Sequence, residues 1–491
     1  MMRSLYSGIS GLSVNQTKMD VIGNNIANVN TVGFKASRAA FADVFYQNIQ
    51  SASGPNESTG AAGQNAMQIG LGSKLASIVS SPTKTGGSQR TDNPFDLMIS
   101  GDSFFIVNQG GTNYFSKAGD FKIDADGTLC TSSGGTVMGW QVDPKDPTRT
   151  VADMVSPLKL MSAQNLYSDP EATTKAYLAG NIDQKDTQLA LNGSGKMATI
   201  SFYDKLGQSY TATFKILHAG DSSTPPVAID NQYSVQLVDV VDSQKNSILT
   251  TKVVDATGNV TYKASGIGSV KLGAETFDYD VNTTTGAITP KTTAKPNLLT
   301  FNAATGKFVG IGSTATATDK SISLQLGATA ATNHFSDISI DFSSLTQFGG
   351  SGSTTAAGYI GGVDGTGKGR KAGSMEGLSV DTSGKIYGSY DNGDSRLLGQ
   401  IAVASFSNPA GLEAKGGNLY AETQNSGKFD GIGHDVTSDG GKFMPGVLEM
   451  SNVDLASEFT EMITTQRGFQ ASSRIITTSD TLLEELINLK R

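Results

Sequence analysis

At both ends of this 491-residue chain, side chains on one stripe return at alternating spacings of 3 and 4. The first series is Leu5, Ile9, Leu12, Gln16, Met19, Gly23 and Ile26. The second is Phe459, Met462, Gln466, Phe469, Ser473, Ile476, Asp480, Leu483 and Ile487. Such spacing is a heptad stripe, and it predicts two long α-helices that each meet a partner along a narrow seam. In each series one register is wholly apolar: Leu5, Leu12, Met19 and Ile26, then Met462, Phe469, Ile476 and Leu483. The other register is mixed. Polar residues in a seam cost stability but specify register and partner. Asn28, Asn30 and Gly33 tolerate left-handed backbone and predict where the first helix stops. Pro445 and Gly446 bound the second helix upstream, with Ser451 or Asn452 expected as its N-cap. A lone helix is marginal in water, so each end is expected to need the other and neighbouring copies of the chain.

Between the ends the signals are strand and turn. Phe104–Val107 is a short apolar run. Phe121–Ile123 and Thr128–Cys130 flank the turn Asp124–Gly127, and Ser379–Val380 and Lys385–Tyr387 flank Asp381–Gly384; both read as hairpins. Ile401–Phe406 is a further strand. Residues 35–72 are rich in Gly, Ser, Asn and Gln and read as a connector. No arginine occurs between Arg149 and Arg370, and that span is rich in Thr, Ser, Ala and Gly with strand-like runs at 198–202, 210–214 and 233–238. The expected fold class is mixed and mainly β: nested β domains of barrel or sandwich type, with terminal helices pairing as a coiled coil. The expected domains are 1–34 with 446–491 (helical), 35–72 (connector), 73–150 with 370–445 (first β domain) and 151–369 (inserted β domain, one unit or two). Gly-rich stretches at 50–72 and 349–373 are expected hinges.

Composition argues against most chemistry. Lys+Arg number 37 and Asp+Glu 45, a net charge of −8, which disfavours nucleic-acid binding. Three histidines, His218, His334 and His434, lie far apart without metal-ligand spacing. Cys130 is the single cysteine, so no disulfide forms within the chain; it reads as a structural thiol. Gly362–Lys368 fits G-x-x-x-x-G-K, yet Gly369 follows instead of the Ser or Thr that would hold Mg²⁺; it reads as a linker. Asp124, Asp126 and Gly127 suggest a calcium loop, but the remaining ligands are missing and turn chemistry explains them. No acid–base or nucleophile constellation emerges, so no enzyme, cofactor or metal is expected. No run of 18 apolar residues suggests membrane insertion. The N-terminus lacks an apolar stretch with a small-residue cleavage site, an expectation of export, if any, without a cleaved signal peptide.

Longer motifs carry a resemblance. Leu5–Leu12 followed by Asn24-Asn25-Ile-Ala-Asn28-Val-Asn30-Thr-Val-Gly33-Phe34-Lys35 resembles the N-terminal signature of the bacterial flagellar rod and hook family. Asn93-Pro94-Phe-Asp-Leu-Met-Ile-Ser-Gly101-Asp-Ser-Phe104-Phe105 and Tyr114–Phe121 resemble its β motifs. Leu448–Leu455, Gln466–Ala471 and Ile475–Asp480 resemble its C-terminal signature. Ser103, Met98 and Gly468 depart from it, standing where Gly, Ala and Ala are common. Rod members are short, whereas this chain carries about 200 inserted residues, so the resemblance implies a hook-type subunit, a homopolymer acting as a universal joint between rod and filament. It further implies export through the flagellar type III apparatus, a place in the extracellular hook, and contacts with the distal rod, the hook cap and the hook–filament junction proteins. A distal-rod-type protein and a surface adhesin using the inserted domain are the alternatives.

Overall fold

The computed structural model describes residues 2–55, 60, 62–143, 146–220, 227–255, 259–265, 270–273, 275–277, 279–286, 288–290, 297–312, 318–327, 334–350 and 352–489. Contacts divide the chain into two compact units. One comprises Met1–Leu166, Met375–Ser389 and Ser395–Arg491; the other comprises Tyr167–Ser374 and Tyr390–Asp394.

The first unit carries both helices, α1 (Met2–Ala27) and α2 (Leu455–Asn488). Between them in sequence, strands form a large sheet. It includes, in spatial order, Gly373–Val380, Lys385–Tyr390, Ser395–Ile401, Thr136–Asp143, Phe104–Gln109, Thr112–Ser116, Leu419–Ala421 and Glu413–Gly416. The run Phe104–Val107 is buried on both faces of this sheet, which is why it reads as continuous rather than alternating apolar. Phe105 and Val107 point to one side, where Phe105 packs among Leu97, Phe121, Val137, Leu158 and Phe443. Phe104 and Ile106 point to the other, among Phe115, Met138 and Trp140. The Trp140 indole donates to the Ile432 carbonyl at 3.0 Å, so its polar edge is satisfied in the core.

The second unit is all β. One sheet runs Lys196–Tyr203, Ser209–Gly220, Ala228–Asp242, Asn297–Phe301, Phe308–Ile311. Another runs Glu275–Phe277, Val270–Leu272, Ser321–Leu326, Ile338–Thr346, Lys175–Asn181, Ala357–Ile360, with a parallel pair between Lys175–Asn181 and Ile338–Thr346. Every second residue faces the shared core, as Ala198, Ile200 and Phe202 do from one sheet and Ile338, Ile340 and Phe342 from the other. The unit's chain enters and leaves side by side, Tyr167 pairing Ser374 and Ser168 pairing Gly373.

Several sequence expectations change here. The N-cap of α2 is Asp454, whose carboxylate accepts from the Ala456 and Ser457 amides. Asn452 instead bridges backbone segments, and Ser451 accepts from Val453. The segment read as a connector carries strands: Ser37–Asp43 pairs Ser73–Ser80, and Tyr46–Gln50 pairs Met67–Gly70. Phe45, Tyr46, Ile49, Met67 and Ile69 all stay exposed, so no one-sided burial marks these strands as ordinary sheet. The stretch expected to hinge at 349–373 is tied down. Asp183 accepts from the Gly352 amide, Ala357–Ile360 is a sheet strand, and Gly362 donates to Thr366 in a tight turn. The P-loop-like motif therefore ends in a turn with no helix behind it, and lies inside the second unit rather than between units. Cys130 is half-buried in the hairpin it was assigned to, opposite Lys122.

One turn recurs in both units. In Asp124–Thr128, Asp204–Gln208, Asp242–Asn246 and Asp381–Lys385, the first carboxylate accepts the fifth residue's amide at 2.7, 2.8, 2.8 and 3.0 Å. The fourth residue is left-handed each time: Gly127, Gly207 and Gly384 at φ 77°, 79° and 81°, but Lys245 at φ 65°. A Cβ in that region is strained, and glycine is not. Lys245→Gly is expected to stabilise the second unit by about 0.5–1 kcal/mol in urea unfolding; a loss of stability would show that the turn is not strained.

Candidate polymerisation surface

The helices run antiparallel, and their roots sit together. α1 ends at Ala27 where the Asn28 amide reaches back to Asn24 and Asn25 carbonyls, and Gly33 then turns with φ 70°. A Cβ on Gly33 would lie 2.7 Å from the Ala118 nitrogen, so the bend requires glycine on steric grounds as well. Asn25 is buried and fully used. Its side chain donates to the Ser37 carbonyl and to Glu458 Oε1, and accepts from the Ser37 amide. Burial pushes the Glu458 carboxyl up, and the Asn25 bond partly opposes that.

From this root the helices contact each other through Asn25 on Glu458 (3.0 Å), Lys18 on Glu461 (3.0 Å), Asn15 against Gly468, Gly11 against Ser472, Gly8 against Ser472 and Ile476, and Ser4 against Ser479 (3.5 Å). With the buried Ile22, these positions form a heptad series of their own: 4, 8, 11, 15, 18, 22 and 25 on α1. It lies one residue, or about 100° of helix, before the series read from the sequence. The same one-residue offset holds on α2 at 458, 461, 465, 468, 472, 475 and 479. The expected apolar seam is therefore not the centre of the face the two helices turn to each other, although one member, Ile476, reaches Gly8. Leu5, Leu12, Met19, Ile26, Met462, Phe469, Ile476 and Leu483 sit half-buried at its flank. Ile9, Gln16, Phe459, Gln466 and Ile487 are exposed. The real face is mostly Gly, Ser, Asn and an ion pair, with Ile22, Ile475 and Ile476 as its apolar members, too few for a search for apolar period to find. Beyond Ser479, α2 continues past the start of α1, with Leu482, Leu486, Ile487 and Leu489 exposed, the last two at 68% and 83%.

The family-signature residues have structural work. Asn24 and Asn28 bond each other at the end of α1, Thr31 bonds Asn28, and the Phe34 carbonyl accepts from Asn452. Asn93 donates to Asp96 and accepts from Phe95 in a turn beside the exposed Pro94, and Asn30 is exposed. The Gly101 carbonyl accepts from Lys117 Nζ at 2.7 Å. Phe104 and Phe105 are core.

Among the buried charges that were not singled out from the sequence are Lys35, Lys117 and Glu449. Lys35 Nζ lies 2.7 Å from Glu449 Oε1, with both side chains 0% exposed. Lys117 is buried, with Nζ 5.0 Å over the Phe104 ring. Burial, and then the Lys35 charge, lower the Lys117 pKa to about 8 against the pull of Glu449 and Asp102. Between pH 8 and 10.5 the unfolded chain therefore binds more protons at this lysine than the folded one. Stability at this group rises with pH across that window. Lys117→Met is expected to abolish that rise, measured as denaturation midpoints from pH 7 to 10; an unchanged slope would mean that Lys117 stays charged in the fold.

Four family models match the sequence. They are flagella basal body rod protein over residues 5–35, flagellar hook protein FlgE/F/G D1 domain over 98–198, flagellar basal body protein FlaE D2 domain over 165–359, and flagellar basal body rod protein FlgEFG C-terminal over 444–489. The flagellar hook protein FlgE of Borreliella burgdorferi is 34% identical, with 100% of each chain covered. That of Treponema pallidum is 33% identical at the same coverage. That of Salmonella typhimurium is 28% identical over 99% of this chain and 100% of its own.

Proposed function

The chain belongs to the flagellar hook protein family, and from that premise we propose that its terminal helices assemble it through the apolar side they turn away from each other. It is a structural subunit of the bacterial flagellar hook, not an enzyme, and copies of it polymerise. The distal-rod and adhesin alternatives are not favoured, because hook proteins match it from end to end.

One observation carries the proposal. The in-chain helix contact is mostly glycine, serine, asparagine and one ion pair, with Ile475 and Ile476 meeting Gly8, while Tyr6, Ile9, Phe459, Ile463 and Ile487 lie off that face and remain exposed. Burying one such side chain contributes roughly 1.5–3 kcal/mol. Several together favour association strongly once neighbouring copies cover them. In this reading the seam residues Leu5, Leu12, Met19, Ile26, Met462, Phe469, Ile476 and Leu483 close the gaps between copies, and Gln16 and Gln466 set register. The helices line the inside of a tube and the β domains form the layers outside them. Polar contacts between outer layers slide while the inner helices stay packed, so the tube bends and still transmits torque from rod to filament. The proposal extends to export through the flagellar type III apparatus without a cleaved signal peptide, to an extracellular position, and to end contacts with the distal rod, the hook cap and the hook–filament junction proteins.

Phe459→Asp and Ile487→Asp place a charge on exposed positions, so they test assembly without disturbing the monomer core. Each is expected to abolish polymer in electron micrographs while fluorescence of the sole tryptophan, Trp140, stays that of a buried indole; polymer of normal length from both would refute the assigned face. The helix tips, held by Gly8, Gly11 and serines, are expected to exchange amide protons rapidly over 4–20 and 465–489 in dilute monomer and slowly in polymer. Equal protection in both states would mean that the in-chain seam suffices.

A further inference from the structure

Three backbone segments cross at the roots of the helices. The segment after α1 brings Lys35, the segment before α2 brings Glu449, and the chain between them in sequence passes at 81–87. The Lys35 ammonium donates to Glu449 Oε1 at 2.7 Å and to the Lys84 carbonyl at 2.8 Å. The Gly86 amide donates to the same carboxylate oxygen at 2.9 Å. Backbone bonds lace the crossing together: Gly33 to the Glu449 carbonyl (2.8 Å), Met450 to the Gly87 carbonyl (2.8 Å). Asn452 accepts from the Ala36 amide (2.7 Å) and donates to the Lys84 carbonyl (3.0 Å). There is no slack, since a Cβ on Gly86 would lie 1.9 Å from the Met450 oxygen.

We infer that the buried Lys35–Glu449 pair is a two-sided latch, so that neither terminal segment keeps its seat on the first β unit unless the other is seated too. The physical ground is the absence of water. Both side chains are 0% exposed, so each charge depends on buried neighbours for compensation, and each is the other's direct ion-pair partner at 2.7 Å. Remove the Glu449 segment, and Lys35 and Lys117 are left as like charges, with carbonyl oxygens as their hydrogen-bond partners and only Asp102 pulling on Lys117. Remove the Lys35 segment, and Glu449 keeps the Gly86 amide on Oε1 and only the longer-range pull of Lys117, with Oε2 already lacking a hydrogen-bond partner among the described residues. An unpaired buried charge is far costlier than the exposed state, so the half-seated arrangement is the least populated one. The two ends, 414 residues apart in sequence, thus order and release as one step. The latch concerns how the ends seat on their own β unit and does not rest on the assignment of the polymer face.

The test is amide exchange in the full-length monomer, read in peptides covering 22–36 and 447–460, with Trp140 fluorescence reporting the β core. Lys35→Met and Glu449→Gln, each alone, are expected to speed exchange roughly a hundredfold or more at both segments while Trp140 stays buried. The double variant Lys35→Met/Glu449→Leu removes both charges and is expected to return both segments to within about tenfold of the parent. The latch is overturned by loss confined to the substituted residue's own segment, by unchanged exchange, or by a double variant no better than the singles. Exposure of Trp140 in the single variants also overturns it, since the pair would then support the whole β unit.

Discussion

Two charges with no water around them hold both ends of the chain at one point. The link between α1 and the first β unit passes through Lys35, and the link between that unit and α2 passes through Glu449. The C-terminus of one helix and the N-terminus of the other therefore start from the same place. From a shared root the helices can only run side by side in opposite directions, as Asn25 on Glu458 near the root and Ser4 by Ser479 near the tip record. The direction of the helix pair is a consequence of the crossing below it.

The pair divides its surface by chemistry. Its inner contact is mostly small or polar, with Ile22, Ile475 and Ile476 as its apolar members, which lets the two backbones approach closely. Its outer side is apolar and open. The β units are the reverse: Phe104, Phe105, Phe121 and Phe443 in one, and Tyr233, Phe214 and Phe342 in the other, are fully enclosed. A subunit made this way has β units with complete cores and helices that are half of an interface. That is the physical requirement for a chain that folds as a monomer and gains its last contacts only in a polymer.

The exposed strands at 37–80 follow the same logic. Tyr46–Gln50 and Met67–Gly70 form a two-stranded ribbon exposed along its whole length. An isolated ribbon is at best marginally stable in water, so this element, like the helices, lacks a complete core of its own.

The terminal helices and the β middle were legible in the sequence, because local chemistry decides them. Alternating spacings of 3 and 4 can only be one stripe of a helix, Phe104–Val107 can only be a strand with both faces covered, and aspartate and glycine at fixed offsets can only be a turn. Motifs such as Asn24–Lys35 and Leu448–Leu455 carried the family in the same local way. The face that α1 and α2 share was not legible. It lies one residue from the apolar stripe and consists mostly of residues such as Gly8, Gly11, Asn15, Gly468 and Ser472, which look unremarkable until two backbones come close. Nor was the meeting of Lys35 with Glu449 or the burial of Lys117, since burial depends on what residues hundreds of positions away place around a side chain. Pattern along the chain fixes which elements form; which of their faces are covered, and which charges lose their water, depends on the packing that brings distant segments together.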